Sequence, residues 1–242
     1  MQSIRRKPGL ILIPEDADSK FYIQHLYPYH LAYGNAKDKI ILEVGFGDGY
    51  GSFYLAGAAK MVIGIDCEEE NVKNARNKYK RNNLDFKMME ASNLGFKDET
   101  FDIVFSSQVI EHIKEDKLMN YLSEIFRVLK AGGILYLATL NKEVAMKRGQ
   151  VYKKNPYHEK EFNEIELREL LLKIFPKVDM YGLHPAAKHN FFQRLKKAGI
   201  FKNLPEAINP VQSFYKNIKL SDFVASKRGL KQALDFIAIC GK

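Results

Sequence analysis

The 242-residue sequence contains no tryptophan and only two cysteines, Cys67 and Cys240. Two cysteines so far apart cannot form a disulfide framework, and they lack the spacing of a cysteine-ligated metal centre. Each lies in or beside a segment that predicts a strand, so we expect buried thiols in a reducing environment. The sequence therefore predicts no disulfide and no metal site.

Long apolar runs are also missing, and no segment approaches the length of a membrane span. Residues 10–13 are apolar and follow a basic start, but this run is too short for the apolar region of a signal peptide. We therefore expect a soluble, cytoplasmic protein.

The chain is 46% hydrophobic and carries a formal net charge of +9. Its length suits one domain with a sizeable core. The positive charge is compatible with nucleic acid, an anionic membrane surface or acidic small molecules. However, the basic residues are spread along the chain, which favours an ordinary solvated surface.

The first half alternates short apolar runs with helical patterns. Strands are predicted at 40–44, 61–65, 86–89, 101–107 and 134–138, with helices at 52–59, 68–80 and 118–129 between them. Gly132 and Gly133 are predicted to end the last of these helices. This alternation indicates right-handed βαβ crossovers and a parallel sheet. Ligands of such sheets bind at the carboxyl ends of the strands.

The second half is less regular. It predicts a helix at 161–175 with Asn163 as its cap, and strands at 177–183 and 234–240. About 50 residues separate these two strands, far more than an ordinary loop. We interpret residues 184–230 as a helical insertion, either a cap over the substrate site or a dimer surface.

A glycine-rich loop, Glu43-Val-Gly-Phe-Gly-Asp-Gly-Tyr-Gly51, follows the first strand. Glycines there let the backbone approach a ligand closely. The dinucleotide fingerprint needs a third glycine at its sixth position, which here is Tyr50 or Ser52. No Gly-Lys-Ser/Thr follows, so a P-loop is excluded as well.

Asp66 stands at the end of the second strand, 21 residues after Gly45. An acid at this place accepts hydrogen bonds from ribose hydroxyls. An acid after a strand is also a common helix cap, and Asp66 could serve both purposes. The loop and Asp66 together predict a nucleoside-containing ligand.

Four segments together resemble the class I S-adenosylmethionine-dependent methyltransferases of the type-11 branch. They are the glycine loop, Asp66, residues 90–102 and residues 106–112, followed by the fifth-strand entry at 127–133. The resemblance spans about 39–140. Two positions depart from the family pattern, because Glu90 replaces the usual aspartate and Gly95 the usual proline.

The resemblance implies a Rossmann-like, doubly wound α/β fold. Its seven-stranded sheet is mostly parallel, with an antiparallel last strand after the helical insertion. Residues 1–242 would form a single methyltransferase domain: a helical lead-in at 1–38, a cofactor-binding core at 39–140, and a C-terminal part at 141–242 that contains the insertion.

The resemblance also implies the roles of individual residues towards S-adenosylmethionine, which leaves as S-adenosylhomocysteine. Gly45 and Gly47 would flank the methionine part with Glu43 nearby, and Asp66 would hold the ribose. Three residues would lie beside the adenine, namely Cys67, Glu90 and Ala91. Ser106 would face the methyl-bearing sulfonium. His112 is the candidate general base, together with Glu111, although this pair is also frequent in the branch as a structural feature.

The acceptor is predicted to be a small molecule or saccharide, methylated at oxygen. An RNA methyltransferase and a non-catalytic S-adenosylmethionine-binding protein remain the alternatives, and a homodimer is possible. The fourth strand ends in Ser106-Ser107-Gln108-Val109 instead of the Asn/Asp-Pro-Pro-aromatic motif of nucleobase amine methyltransferases. Neither cysteine lies near this strand, as cytosine-C5 methylation would require. His158 is a further candidate for the acceptor site or for a surface turn.

Overall fold

The computed structural model describes residues 12–15, 18–145 and 154–242. An eight-stranded sheet with the order β3-β2-β1-β4-β5-β8-β6-β7 runs through the centre of the molecule. Its strands are β1 (Ile40–Val44), β2 (Met61–Asp66), β3 (Leu84–Met88), β4 (Phe101–Ser107), β5 (Leu129–Leu140), β6 (Lys177–Pro185), β7 (Phe223–Ser226) and β8 (Asp235–Gly241).

Strands β1 to β5 pair in parallel, and β8 pairs antiparallel with both β5 and β6. The Rossmann-like fold with an antiparallel last strand is thereby confirmed. The eighth strand, β7, is a short edge strand inside the predicted helical insertion. Val44 is in register with Ile65 on one side and Ser106 on the other, so β1, β2 and β4 end at the same edge.

Helices cover both faces of the sheet. They are α1 (Ser19–Tyr33), α2 (Tyr50–Leu55), α3 (Glu69–Lys78), α4 (Leu118–Val128), α5 (Lys142–Ala145), α6 (Glu164–Leu172), α7 (Ala187–Lys197) and α8 (Pro210–Lys216). Successive residues of a strand point to opposite faces. Accordingly, Ile41 packs in the cluster with α1 and α2, while Leu42 packs in the cluster with α4 and α6.

The predicted stripe of α4 is fully buried, but the predicted end of this helix is wrong. The helix ends at Val128, and Leu129 already pairs with Phe101 as the first residue of β5. Gly132, with a φ of 72°, lies within β5, where the register with β4 shifts between Phe101 and Ile103. The glycines therefore accommodate an irregularity of the strand and do not cap the helix.

The insertion packs against the lead-in helix α1. Phe214, Ile218 and Phe223 of the insertion share an apolar cluster with residues of α1. The Tyr27 hydroxyl of α1 accepts a hydrogen bond from the amide of Ala225 at 3.2 Å. The insertion thus fixes α1 against the sheet. Within the described part of the chain, no helix is long and apolar enough to cross a membrane.

Gly51 tests the packing of α1 against α2. A Cβ atom at Gly51 would lie 2.1 Å from Cε1 of Tyr29, a buried side chain of α1. We expect Gly51→Ala to lower the free energy of unfolding by about 1–3 kcal/mol because of this overpacking. Gly34→Ala is the matched control, because a Cβ there makes only an ordinary contact at 3.7 Å. Equal stability of both variants in urea unfolding would contradict this packing.

Candidate functional site

The glycine loop between β1 and α2 adopts a backbone that only glycine tolerates well. Gly45, Gly47 and Gly49 have φ angles of 72°, 60° and 95°, in the left-handed region. A Cβ atom on Gly45 would also come within 2.4 Å of the Val109 side chain. All three positions need glycine for their backbone conformation, and Gly45 needs it for space as well.

Glu43 supports the loop from below. Its carboxylate is fully buried, and it accepts hydrogen bonds from the Tyr29 hydroxyl at 2.6 Å and from the Ser52 hydroxyl. Burial raises the pKa of Glu43 to about 7, although both hydrogen bonds oppose this shift. Glu43 therefore connects β1, α1 and α2 under the loop.

Asp66 joins the end of β2 to the same loop. One carboxylate oxygen accepts the amide of Gly47 at 2.9 Å. The other accepts the amide of Glu68 at 3.0 Å and the side-chain amide of Asn71 at 3.1 Å. Burial raises the pKa of Asp66, and these hydrogen bonds oppose the rise. Asp66 thus holds the loop and the start of α3 together.

A cavity of about 530 Å³ lies beside Asp66 at the carboxyl ends of β1, β2 and β3. It brings together five residues that the sequence analysis assigned to the cofactor, namely Gly45, Asp66, Cys67, Glu90 and Ala91. Its volume lies in the range typical of sites for small ligands and cofactors. We refer to it as the larger cavity.

Two of these residues differ from expectation in their surroundings. Cys67 is exposed, because it follows the last residue of β2 and leaves the sheet, so the prediction of a buried thiol holds only for Cys240. Glu90 is an exposed acid that accepts hydrogen bonds from Lys117 at 2.6 Å and from Ser92 at 2.9 Å. The bond from Lys117 is the main reason why the pKa of Glu90 is lowered.

Ser106 and Glu43 line neither the larger cavity nor a second cavity that borders it. Ser106 is buried, and its hydroxyl lies 2.7 Å from that of Tyr121 on α4. Ser107, on the opposite face of β4, lines the second cavity instead. The structure thus separates these two predicted positions from the ligand-sized spaces.

The second cavity, of about 300 Å³, borders the first. We refer to it as the smaller cavity. Gly45 and His112 line both cavities and therefore mark their junction. The smaller cavity is lined by side chains from α1, the glycine loop, the end of β4, the segment at 155–158 and the start of β8.

Glu111 and His112 lie on a short 3-10 helix, Ile110–His112, just after β4. The carboxylate of Glu111 is fully buried and accepts the hydroxyl of Thr139 at 2.9 Å. Burial raises the pKa of Glu111 to about 8. Burial also lowers the pKa of His112, which favours its neutral imidazole.

His158 reaches this place through backbone contacts. The carbonyl of Glu111 accepts the amides of Glu159 at 2.7 Å and Lys160 at 3.1 Å. Nδ1 of His112 lies 2.8 Å from the carbonyl oxygen of Tyr157. The rings of His112 and His158 consequently meet edge to face with 4.8 Å between their centroids. His158 therefore lines the smaller cavity, at the end of a turn that its amide closes on the carbonyl of Asn155 at 2.9 Å.

Sequence reasoning missed several polar residues of the smaller cavity. Asp235, the first residue of β8, accepts a hydrogen bond from Gln24 of α1 at 2.7 Å, and burial raises its pKa. Gln108 also lines the cavity, with a φ of 56° that is unusual for a residue other than glycine. Sequence reasoning missed Gln24, Gln108 and Asp235 because they are far apart in the chain and no local pattern relates them.

The lining of the smaller cavity contains acidic side chains although the protein as a whole is basic. Among the described residues that line it, Asp48, Glu111 and Asp235 are acidic, and none is lysine or arginine. A cavity of this kind attracts cations and accepts hydrogen bonds from neutral polar groups.

Comparisons with known proteins agree with this geometry. Residues 42–137 match the family described as "Methyltransferase domain". A protein of Mycolicibacterium smegmatis, described as a probable S-adenosylmethionine-dependent methyltransferase, is 34% identical over 66% of this chain and 60% of its own length. The ubiquinone biosynthesis O-methyltransferase of Rhizobium rhizogenes is 31% identical over 42% of this chain and 41% of its own.

The fold also resembles a solved structure of an S-adenosylmethionine-dependent methyltransferase from Archaeoglobus fulgidus. The TM-score is 0.60 at 18% identity, over 93% of this chain and 94% of the other. The chain spans about 60% of the length of the Mycolicibacterium relative.

The fold, the glycine loop and the acid at the end of β2 agree with a class I S-adenosylmethionine-dependent methyltransferase domain. Residues 42–137 belong to the type-11 branch of this family. The cofactor of the family is S-adenosylmethionine, which confirms the cofactor expected from the sequence.

The buried carboxyl of Glu43 predicts a pH dependence of stability. Its pKa rises from 4.5 in the free side chain to about 7 in the folded protein. The contribution to stability is therefore complete below pH 4.5 and is lost as the pH rises through 7. Glu43→Gln should remove a decline on the order of 3 kcal/mol across this interval.

Urea unfolding at a series of pH values measures this difference. Glu70→Gln is the control, because Glu70 is exposed on α3 and its removal leaves the buried carboxyl in place. If Glu43→Gln and wild type decline equally between these pH values, the protonated state of Glu43 has no part in stability.

Asp66 is expected to bind the cofactor ribose in addition to the loop. Asp66→Asn should weaken the binding of S-adenosylhomocysteine by about 10- to 100-fold, because a hydrogen bond to a buried charged group contributes roughly 1.5–3 kcal/mol. Titration calorimetry measures this affinity. Asp85→Asn is the control, since Asp85 lies on β3 outside both cavities. Equal affinities of wild type and Asp66→Asn would refute the assignment.

Proposed function

We propose that this chain transfers the methyl group of S-adenosylmethionine to a hydroxyl oxygen of an uncharged polar small molecule, such as a saccharide. The observation that carries the proposal is the pair of adjoining cavities, which share Gly45 and His112. One has the lining expected for the cofactor, and the other is open to an acceptor. A methyl donor and its acceptor must meet at such a junction.

The larger cavity supports the assignment of the cofactor parts. We assign Asp66 to the ribose, and Cys67, Glu90 and Ala91 to the adenine, since all four line this cavity. The amides of Gly45 and Gly47 would then flank the methionine part. The sulfonium would lie near the junction, where the acidic lining of the smaller cavity favours a positive charge.

The smaller cavity supports a neutral, hydroxyl-rich acceptor. Gln24, Gln108, Asn155 and Asp235 offer amide and carboxylate groups, which can donate to and accept from hydroxyls. Acidic and phosphate-bearing acceptors are disfavoured, because none of the described lining residues is lysine or arginine. The same feature argues against RNA, whose backbone phosphates require basic contacts.

The name of the Rhizobium relative, a ubiquinone biosynthesis O-methyltransferase, specifies oxygen as the methylated atom of its own acceptor. This name supports oxygen as the acceptor atom of the present chain. Because the relative matches only 42% of this chain, the name supports the atom and not the acceptor itself.

The proposed reaction breaks the bond between the methyl carbon and the sulfonium and forms a carbon–oxygen bond. The acceptor hydroxyl passes its proton to water, and S-adenosylhomocysteine leaves. The protein aligns and desolvates the two reactants, while the cofactor supplies the methyl group. We assign Glu111 and His112 to the activation of the acceptor hydroxyl. Both residues line the smaller cavity, and His112 also lines the junction.

A labelled-methyl assay tests this function. The purified chain is incubated with labelled S-adenosylmethionine and a cell extract of the organism that encodes it, and the extract is fractionated into RNA, lipid, protein and small molecules. We expect label in the small-molecule fraction as a base-stable methyl ether. Label in RNA would contradict the proposed acceptor, and tight cofactor binding without transfer would indicate a non-catalytic binding protein.

His112 provides the matched variant for the same assay. His112→Asn should lower turnover by about 100-fold or more, because activation of the hydroxyl contributes that much to such reactions. Affinity for S-adenosylhomocysteine should change far less. His30→Asn, on the exposed side of α1, is the control. Equal turnover of His112→Asn and wild type would show that His112 is structural.

A further inference from the structure

Glu111, His112 and His158 face one another at the wall of the smaller cavity. One donor atom from each of these side chains lies within 4.8 Å of the other two. We propose that these three residues bind a divalent transition-metal ion, and that the ion binds the acceptor oxygen. The role of the ion in methyl transfer rests on the proposed function, whereas its binding does not.

One carboxylate oxygen of Glu111 has no hydrogen-bond partner among the described residues. Oε2 accepts the hydroxyl of Thr139, but Oε1 is buried and has no hydrogen-bond partner among the described residues. A buried carboxylate oxygen without a partner is unfavourable, and such groups call for an explanation such as a bound ion. A cation between Glu111 and the two imidazoles would satisfy this atom.

The two imidazoles are each oriented by a hydrogen bond at Nδ1. Nδ1 of His112 lies 2.8 Å from the carbonyl oxygen of Tyr157, and Nδ1 of His158 lies 2.7 Å from a carboxylate oxygen of Glu161. Both Nδ1 atoms therefore donate a hydrogen, which leaves Nε2 of each ring as the atom with a free electron pair. Histidine ligands of metals are oriented in this way by a carbonyl or carboxylate.

The surroundings of these three residues are acidic. Buried Asp235 lies in the same cavity and buried Glu161 behind His158, and no lysine or arginine is among the described residues of the lining. The lining thus favours a positive charge at this point. Nε2 of His158 at present receives the Asn155 amide at 3.2 Å, and the ion would replace this contact.

Two imidazole nitrogens and one carboxylate oxygen suit Zn²⁺ and other first-row divalent ions. Three protein ligands leave coordination positions open towards the cavity, as in catalytic metal sites. An ion lowers the pKa of an oxygen bound to it. The acceptor hydroxyl would release its proton to water and then attack the methyl carbon as the bond to sulfur breaks.

The binding test uses Zn²⁺ alone with the tag-free chain after treatment with a chelator. Competition against a chromophoric zinc chelator measures the affinity, and the visible spectrum of bound Co²⁺ reports the ligand set. We expect one ion per chain and at least about tenfold weaker binding for both Glu111→Gln and His158→Asn. His30→Asn, which removes an exposed histidine on α1, should bind as wild type does.

Affinity for S-adenosylhomocysteine, measured on each variant, shows that the fold is intact. Equal zinc affinity in wild type, Glu111→Gln and His158→Asn would overturn the site. If the chelator-treated chain transfers methyl groups at the full rate, the ion has no role in the reaction while the proposed function stands. If the chain binds zinc but no S-adenosylhomocysteine, the proposed function fails and the metal site stands.

Discussion

The hydrogen bond from the Gly47 amide to the Asp66 carboxylate is the contact on which the larger cavity depends. It joins the loop after β1 to the end of β2, at the edge where the parallel strands terminate. The left-handed turns at Gly45 and Gly47 are needed to bring the backbone to this position. The same carboxylate holds the start of α3 through Glu68, so one side chain arranges both walls of the larger cavity.

A second junction forms the smaller cavity. The carbonyl of Glu111 receives the amides of Glu159 and Lys160, which fastens the C-terminal part of the chain to the end of β4. The smaller cavity exists because this segment, α1 and the start of β8 converge there. The insertion contributes indirectly, since it packs on α1 and thereby holds Gln24 against Asp235.

Much of the core was predictable because its signals are local. Each of three features lies within a short stretch of sequence: the apolar runs typical of buried strands, the glycine loop, and the acid after β2. Ser106 shows the limit of such signals. A strand places neighbouring residues on opposite faces, and here Ser106 faces Tyr121 while Ser107 faces the cavity. The pattern located the end of the strand but not which of the two serines is directed to the site.

The acceptor cavity could not be predicted, because its residues come from distant segments that no local pattern relates. No sequence pattern connects Gln24 with Asp235, 211 positions later, or His112 with His158. The predicted absence of a metal site rested on the cysteines alone. The arrangement of Glu111, His112 and His158 depends on tertiary contacts that bring two histidines and a buried acid together.

The most direct test of the account is a crystal structure of the chain with S-adenosylhomocysteine. The account predicts the adenosine in the larger cavity, with the ribose at Asp66, and the sulfur between Gly45 and His112, facing the smaller cavity. Adenosine bound in the smaller cavity, or a sulfur directed away from His112, would contradict it.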